Sequence, residues 1–95
     1  MAKDFNQTVA LDLKIWPRFN AIILYIVDCY TRFTQAHIIN DKKPESIIEK
    51  FLEGWILGLF GAPEAVVIDN GGEFYNHKFK DMCQNLNIKI NNSCI

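Results

Sequence analysis

Apolar positions along the chain fall into two rhythms. Over residues 8–15, Val9, Leu11, Leu13 and Ile15 alternate with Ala10, Asp12 and Lys14. That period of two predicts a strand with one apolar face. Pro17 cannot donate to a ladder, so the chain is expected to turn over residues 16–20. Residues 21–27 are continuously apolar and rich in β-branched side chains, which predicts a strand buried on both faces and central in a sheet. A short connection follows, then a third strand over residues 33–39. Three strands joined by short links are most simply an antiparallel meander.

The rhythm changes after residues 40–44. Pro44 suits the first turn of a helix, and Glu45 sits where the helix dipole favours negative charge. Ile47, Phe51, Trp55 and Leu59 form one ridge of four-residue steps; Ile48, Leu52, Ile56 and Phe60 form a second beside it. Glu45, Glu49, Lys50 and Glu53 stay off this stripe. The pattern predicts a helix of about four turns lying across the sheet, capped by Gly61 and not continued past Pro63. Residues 65–68 read as a short buried strand ending at Asp69, followed by a turn at Asn70-Gly71-Gly72. Asn76 is a plausible N-cap for a helix carrying Phe79, Met82, Cys83 and Leu86 at helical spacing, and residues 87–91 can form one more strand. The predicted order is β-β-β-α-β-α-β, an α/β fold with a mixed sheet covered by helices.

At 95 residues, 49% hydrophobic and 22% charged, the chain is sized and balanced for one globular domain over residues 1–95, not for a disordered segment. Ten basic residues against eleven acidic ones give a net charge of −1, so the overall field does not steer nucleic acid strongly. The three cysteines, Cys29, Cys83 and Cys94, form no CxxC pair, and His37 and His77 are not at zinc-finger spacing. The thiols are expected to be reduced and structural. No apolar run approaches a membrane span, and the start lacks the apolar stretch of a signal peptide. The expected setting is soluble and intracellular, with no membrane partner.

Two carboxylates stand out. Asp12 lies within the first strand on the side away from Leu11, and Asp69 lies at the end of the strand over 65–68, where ligands collect in open α/β sheets. Brought together from neighbouring strands they would repel, and a hard divalent cation such as Mg²⁺ or Mn²⁺ relieves that repulsion. Such a pair is the minimal start of a phosphoryl-transfer metal site. Each also has a plainer reading: Asp12 as the wet face of an edge strand paired with Lys14, Asp69 as a turn-former before Asn70-Gly71. Glu73 reads as an exposed group near a helix start, and Asp28 as a residue that fixes a turn. Lys42, Lys43, Lys78, Lys80 and Lys89 read as a solvated surface. Trp16 and Trp55 read as core or interface residues and not as base-stacking platforms.

The run from Phe60 to Phe74 (Phe-Gly-Ala-Pro-Glu-Ala-Val-Val-Ile-Asp-Asn-Gly-Gly-Glu-Phe) resembles the G-x-P, apolar strand, D-x-G-x-E-F signature of retroviral and retrotransposon integrase cores. Ile26-Val27-Asp28-Cys29-Tyr30-Thr31-Arg32-Phe33 is similar to that family's V-D-x-x-S-R-F/Y segment, with Thr31 in place of the usual Ser. Leu11-Asp12 sits where the family has its first catalytic Asp. Animal Ty3/gypsy-like elements look like the nearest branch. The resemblance implies an RNase H-like fold incomplete at the C-terminus, and metal-dependent polynucleotidyl transfer in DNA integration. By position it implies that Asp12 and Asp69 are catalytic metal ligands for Mg²⁺ or Mn²⁺. It further implies DNA as partner, a nuclear setting for the parent protein, and multimers, so that a homodimer could form. The family's third acid is a Glu on a helix after the fifth strand, at an offset this sequence does not reach; neither Glu73 nor Asp81 matches it. The chain by itself is therefore expected to be inactive. The alternatives are a domesticated, non-catalytic binding module and a pseudogene remnant.

Overall fold

The computed structural model describes residues 4–68, 74 and 76–91. Among the described residues, five strands form a single sheet: β1 (Thr8–Trp16), β2 (Ala21–Asp28), β3 (Thr34–Ile39), β4 (Ala65–Val67) and β5 (Lys89–Asn91). Their order across the sheet is β3-β2-β1-β4-β5. The first three make the expected antiparallel meander, and β4 and β5 add in parallel on the other side of β1. The middle strand is therefore β1, not β2. Ile23 and Leu24 are both buried, on opposite faces, but from Leu24 on β2 alternates between buried Leu24 and Ile26 and half-buried Tyr25 and Val27, so the two faces are covered unequally.

Helix α1 (Pro44–Phe51) and helix α2 (His77–Asn85) lie on one face of the sheet. That face is built by Val9, Leu11, Leu24, Ile26 and Ile39, and it shares one core with Ile47, Phe51, Phe79, Met82 and Cys83. Pro44 opens α1 as expected. Asn76 caps α2, its side-chain oxygen accepting from the Phe79 amide at 3.0 Å. Lys78 of α2 reaches Glu45 of α1 at 3.0 Å. The opposite face carries Ala10, Asp12, Tyr25 and Val27, half-buried, with Ile38 70% exposed.

The predicted long helix is interrupted in character. Beyond Phe51 the chain continues as a π-helical segment, Leu52–Phe60, with hydrogen bonds reaching back five residues. The Gly61 amide donates to the Ile56 carbonyl at 2.9 Å, and Gly61 ends the segment at φ +82°. This wider step overturns half of the four-residue stripe. Trp55 is fully buried but Leu59, four residues on, is 66% exposed. Phe60, five residues on, packs against Trp55 with ring centroids 4.7 Å apart.

Gly58 makes the wide turn sterically accessible: a Cβ there would lie 2.2 Å from the Glu53 carbonyl oxygen, five residues earlier. Gly58→Ala is accordingly expected to destabilise the domain by about 2 kcal/mol, read as a lower urea midpoint. Were the segment α-helical, the same change would stabilise it by up to about 1 kcal/mol, so the sign of the shift decides the geometry.

Candidate functional site

Asp12 occupies the middle strand, on the sheet face away from both helices. Its register partner on β2 is Tyr25. Its side chain is 50% exposed, and Lys14, two residues on and on the same face, brings its ammonium to 3.7 Å. The pairing with Lys14 anticipated from sequence is therefore present, but on the middle strand and not on an edge. At half exposure such a pair adds little to stability and leaves the carboxylate oxygens accessible to a ligand.

Asp69, the other expected ligand, lies outside the described residues, as do Glu73 and the Asn70-Gly71-Gly72 turn. The strand leading to Asp69 is described: β4 runs parallel to β1 with Val67 opposite Ala10. Among the described residues, no three His, Cys, Asp or Glu side chains gather as a metal cage. Asp81 is exposed on α2 and pairs with His77 at 3.1 Å.

Asp28 is fully buried and structural. One carboxylate oxygen accepts from the Asn6 amide at 2.7 Å; the other accepts from the Thr31 amide at 2.7 Å and the Thr31 hydroxyl at 2.8 Å. Burial alone would raise its pKa, but these bonds together with one from the Tyr30 amide hold it below the ordinary carboxylate value. The turn-fixing role read from sequence is the observed one. The backbone also closes here, Asp28 exchanging bonds with Phe33 and Arg32 at 2.8 Å each, with Arg32 at φ +69°.

Sequence reasoning missed Asn6. Its side-chain amide donates to the Phe60 and Gly61 carbonyls at 2.9 and 3.1 Å, and its oxygen accepts from the Trp55 indole at 2.7 Å. Its left-handed backbone, φ +66°, suits Asn. One side chain thereby ties the start of the described chain to the end of the π-helical segment. Thr31 was noticed only as a departure from a motif; its spacing of three from Asp28 is the signal of a side-chain turn.

The remaining candidates sort simply. Lys42, Lys43, Lys78, Lys80 and Lys89 are exposed. His37 is half-buried on β3, 2.9 Å from Gln35; burial first, then the nearby Lys50 charge, lowers its pKa. Cys83 is a buried free thiol, its pKa pushed up to about 11 by burial, whereas Cys29 is disulfide-bonded. The expectation of reduced thiols is thus met at Cys83 and corrected at Cys29. Trp55 is core as expected, but Trp16 is 45% exposed. No helix among the described residues is long and apolar enough to cross a membrane.

A meander followed by two parallel strands, helices packed against the sheet and an acidic residue on the middle strand define an RNase H-like fold. The family model of the integrase core domain matches residues 5–95, and the chain belongs to that family. Among solved structures, the HTLV-2 integrase catalytic core domain in complex with magnesium superposes with a TM-score of 0.79 in its dimeric form, at 20% identity. That match covers 90% of this chain and 59% of the other. The trimeric form gives 0.80 at 20% identity, with 93% and 60% coverage. The catalytic core domain of BIV integrase gives 0.77 at 19% identity, with 90% and 53%. An uncharacterized Caenorhabditis elegans protein, K02A2.6, is 27% identical over 79 residues, which are 83% of this chain and 6% of that protein. The chain thus spans less than two thirds of the length of each of these relatives.

Proposed function

We propose that this chain is part of a retroelement integrase core that acts on DNA by metal-dependent polynucleotidyl transfer, with Asp12 and Asp69 as its first two metal ligands. The observation that carries this reading is the parallel register of β1 and β4. Val67 lies opposite Ala10, so the strand that leads to Asp69 in the sequence runs beside, and in the same direction as, the strand that carries Asp12. The half-exposed Asp12 carboxylate offers hard oxygen donors of the type Mg²⁺ and Mn²⁺ prefer. Bound there, a divalent ion would polarise a phosphoryl oxygen and stabilise the developing negative charge. Lys14 supplies a counter-charge to Asp12 and, its side chain being 61% exposed, can swing away when a metal or a phosphate arrives.

These 95 residues place no third acid at the expected offset, so alone they are proposed neither to process nor to join DNA. The dimeric and trimeric forms of the HTLV-2 core support self-association of the parent as part of the same reading.

The test is Mn²⁺ binding followed by paramagnetic broadening of backbone resonances. Broadening should centre on Asp12 and its β2 neighbour Tyr25, and Asp12→Asn should weaken Mn²⁺ binding at least tenfold, as should Asp69→Asn. Broadening centred instead on Asp41 or Glu45, unchanged in Asp12→Asn, would overturn the assignment.

A further inference from the structure

We infer that the tip of the β1–β2 hairpin is a stacking surface for unpaired nucleobases, continuing the strand face that carries Asp12. Strand periodicity puts Asp12, Lys14 and Trp16 on one face of β1. Four residues of strand separate Asp12 from Trp16, about 13 Å, a span of a few nucleotides. The alignment is therefore carboxylate, ammonium, indole, read outward along the middle strand.

Beyond Trp16 the chain turns through a single 3₁₀ turn, Pro17–Phe19. Pro17 fixes the turn and Asn20 closes it in the left-handed region at φ +48°, its amide donating to the Pro17 carbonyl at 3.1 Å. Trp16 and Phe19 are thereby brought together with ring centroids 5.8 Å apart. Neither is used by the core: they are 45% and 64% exposed. The Arg18 guanidinium stands 5.8 Å from the Phe19 ring centroid. The Pro17 turn sets this aromatic and cationic group at the end of the sheet towards which β1 and β4 both run.

Charge selects the occupant. Lys14 and Arg18 are the charged residues between Asp12 and Asp28, and no acid lies in that interval, although the chain as a whole is net negative. Two aromatic faces with the Arg18 cation at the tip, and Lys14 two residues back along the strand, match a single strand, which presents π-faces to stack and phosphates to pair. A duplex hides those faces. Stacking here would hold a strand whose backbone continues past Lys14 towards Asp12. The inference rests on the reading of Asp12 as the nucleic-acid-facing residue, but it involves different atoms and needs no metal.

The experiment uses the 95-residue chain in EDTA, titrated with a fluorescein-labelled single-stranded oligonucleotide of mixed sequence and, separately, with a closed hairpin duplex lacking unpaired bases. Trp55 is buried, so quenching of the exposed, red-shifted tryptophan emission reports on Trp16. The single strand should quench that emission, and Trp16→Ala/Phe19→Ala should weaken single-strand binding about tenfold or more. Trp16→Phe should retain most of the affinity, and the closed duplex should be indifferent to the double substitution. Both residues are exposed, so circular dichroism of the double variant should match the parent.

Unchanged Trp16 emission at saturating oligonucleotide, or equal affinity of the double variant, would overturn the inference. So would sedimentation showing that the tip holds two copies of the chain together and that the double variant merely dissociates them. Mn²⁺ broadening at Asp12 is measured in parallel. Its absence alongside persistent quenching would sink the metal reading and leave the stacking surface; its presence without quenching would do the reverse.

Discussion

Asp28→Asn is expected to cost about 3 kcal/mol of folding stability and to remove part of the domain's acid sensitivity. The carboxylate is fully buried and gathers donors from two separated segments, Asn6 before β1 and the Tyr30–Thr31 turn after β2. Asparagine has nearly the same shape but offers one acceptor oxygen and two donor hydrogens. At least one backbone amide then faces a donor with no water to replace the lost partner, which costs about 1–3 kcal/mol, and the remaining bonds lose their charge assistance. Against a typical total of about 5–15 kcal/mol the loss is large, and a melting point lower by more than about 10 °C should make it visible.

The pH dependence has a definite sign. Because the folded carboxyl titrates below its ordinary value near 3.9, its contribution is complete above that pH. It is lost as pH falls through the folded value, where the unfolded chain has already taken up a proton that the folded chain resists. The parent should therefore lose stability more steeply than Asp28→Asn below about pH 4, the two converging in acid. Parallel curves would mean that the Asp28 charge contributes nothing. Asp41 and Glu45 also titrate low, through Ser46 and Lys78 respectively, but they are common to both proteins and cancel in the difference.

The sequence was informative where partners are close in the chain or repeat with a period. Alternation in β1 revealed the Val9 and Leu11 face, and helical spacing revealed Phe79, Met82 and Cys83 with Asn76 as cap. Ile15 obeys the same alternation yet is 53% exposed, because β1 runs out past β4, which pairs only with its first residues. Periodicity reports which face a residue shares, not whether anything covers it. Leu59 failed differently: its place on the stripe assumed a four-residue step, and the π-helical step gave that place to Phe60. Gly54 and Gly58, poor α-formers on the helix, were the available warning.

Asn6 was not legible at all. Its partners lie 22, 49, 54 and 55 residues away, and no local pattern announces contacts at that range. The candidate site was half legible. Asp12 could be placed on a strand and on a face, but its position on the middle strand follows from β4 and β5 pairing in parallel beyond β1, which is a tertiary fact.

The second large effect concerns the indole that Asn6 holds. Trp55→Ala is expected to cost about 4 kcal/mol, the usual range for removing a fully buried large aromatic. The ring is enclosed by Phe60 at 4.7 Å and by Phe5 and Phe33 at 6.0 Å each, so three further rings lose their common neighbour. Phe5 and Phe33 are already 38% and 45% exposed and can fold inward only by moving the loops that carry them. Asn6→Ala should cost about 2 kcal/mol by a different route: it strands the indole N–H in the interior and releases the Phe60 and Gly61 carbonyls. The two changes should not add. Once the indole is gone, the Asn6 oxygen has already lost its partner, so the double variant should be more stable than the sum predicts by about 1 kcal/mol. Trp55→Phe sharpens the cycle, since it keeps an aromatic ring but removes the N–H, and Asn6→Ala should be milder on that background. Urea denaturation of the four proteins measures the coupling. Strict additivity would show that Asn6 acts only through the Phe60 and Gly61 carbonyls, and that the end of the π-helical segment is held by its backbone, with the indole hydrogen bond contributing nothing.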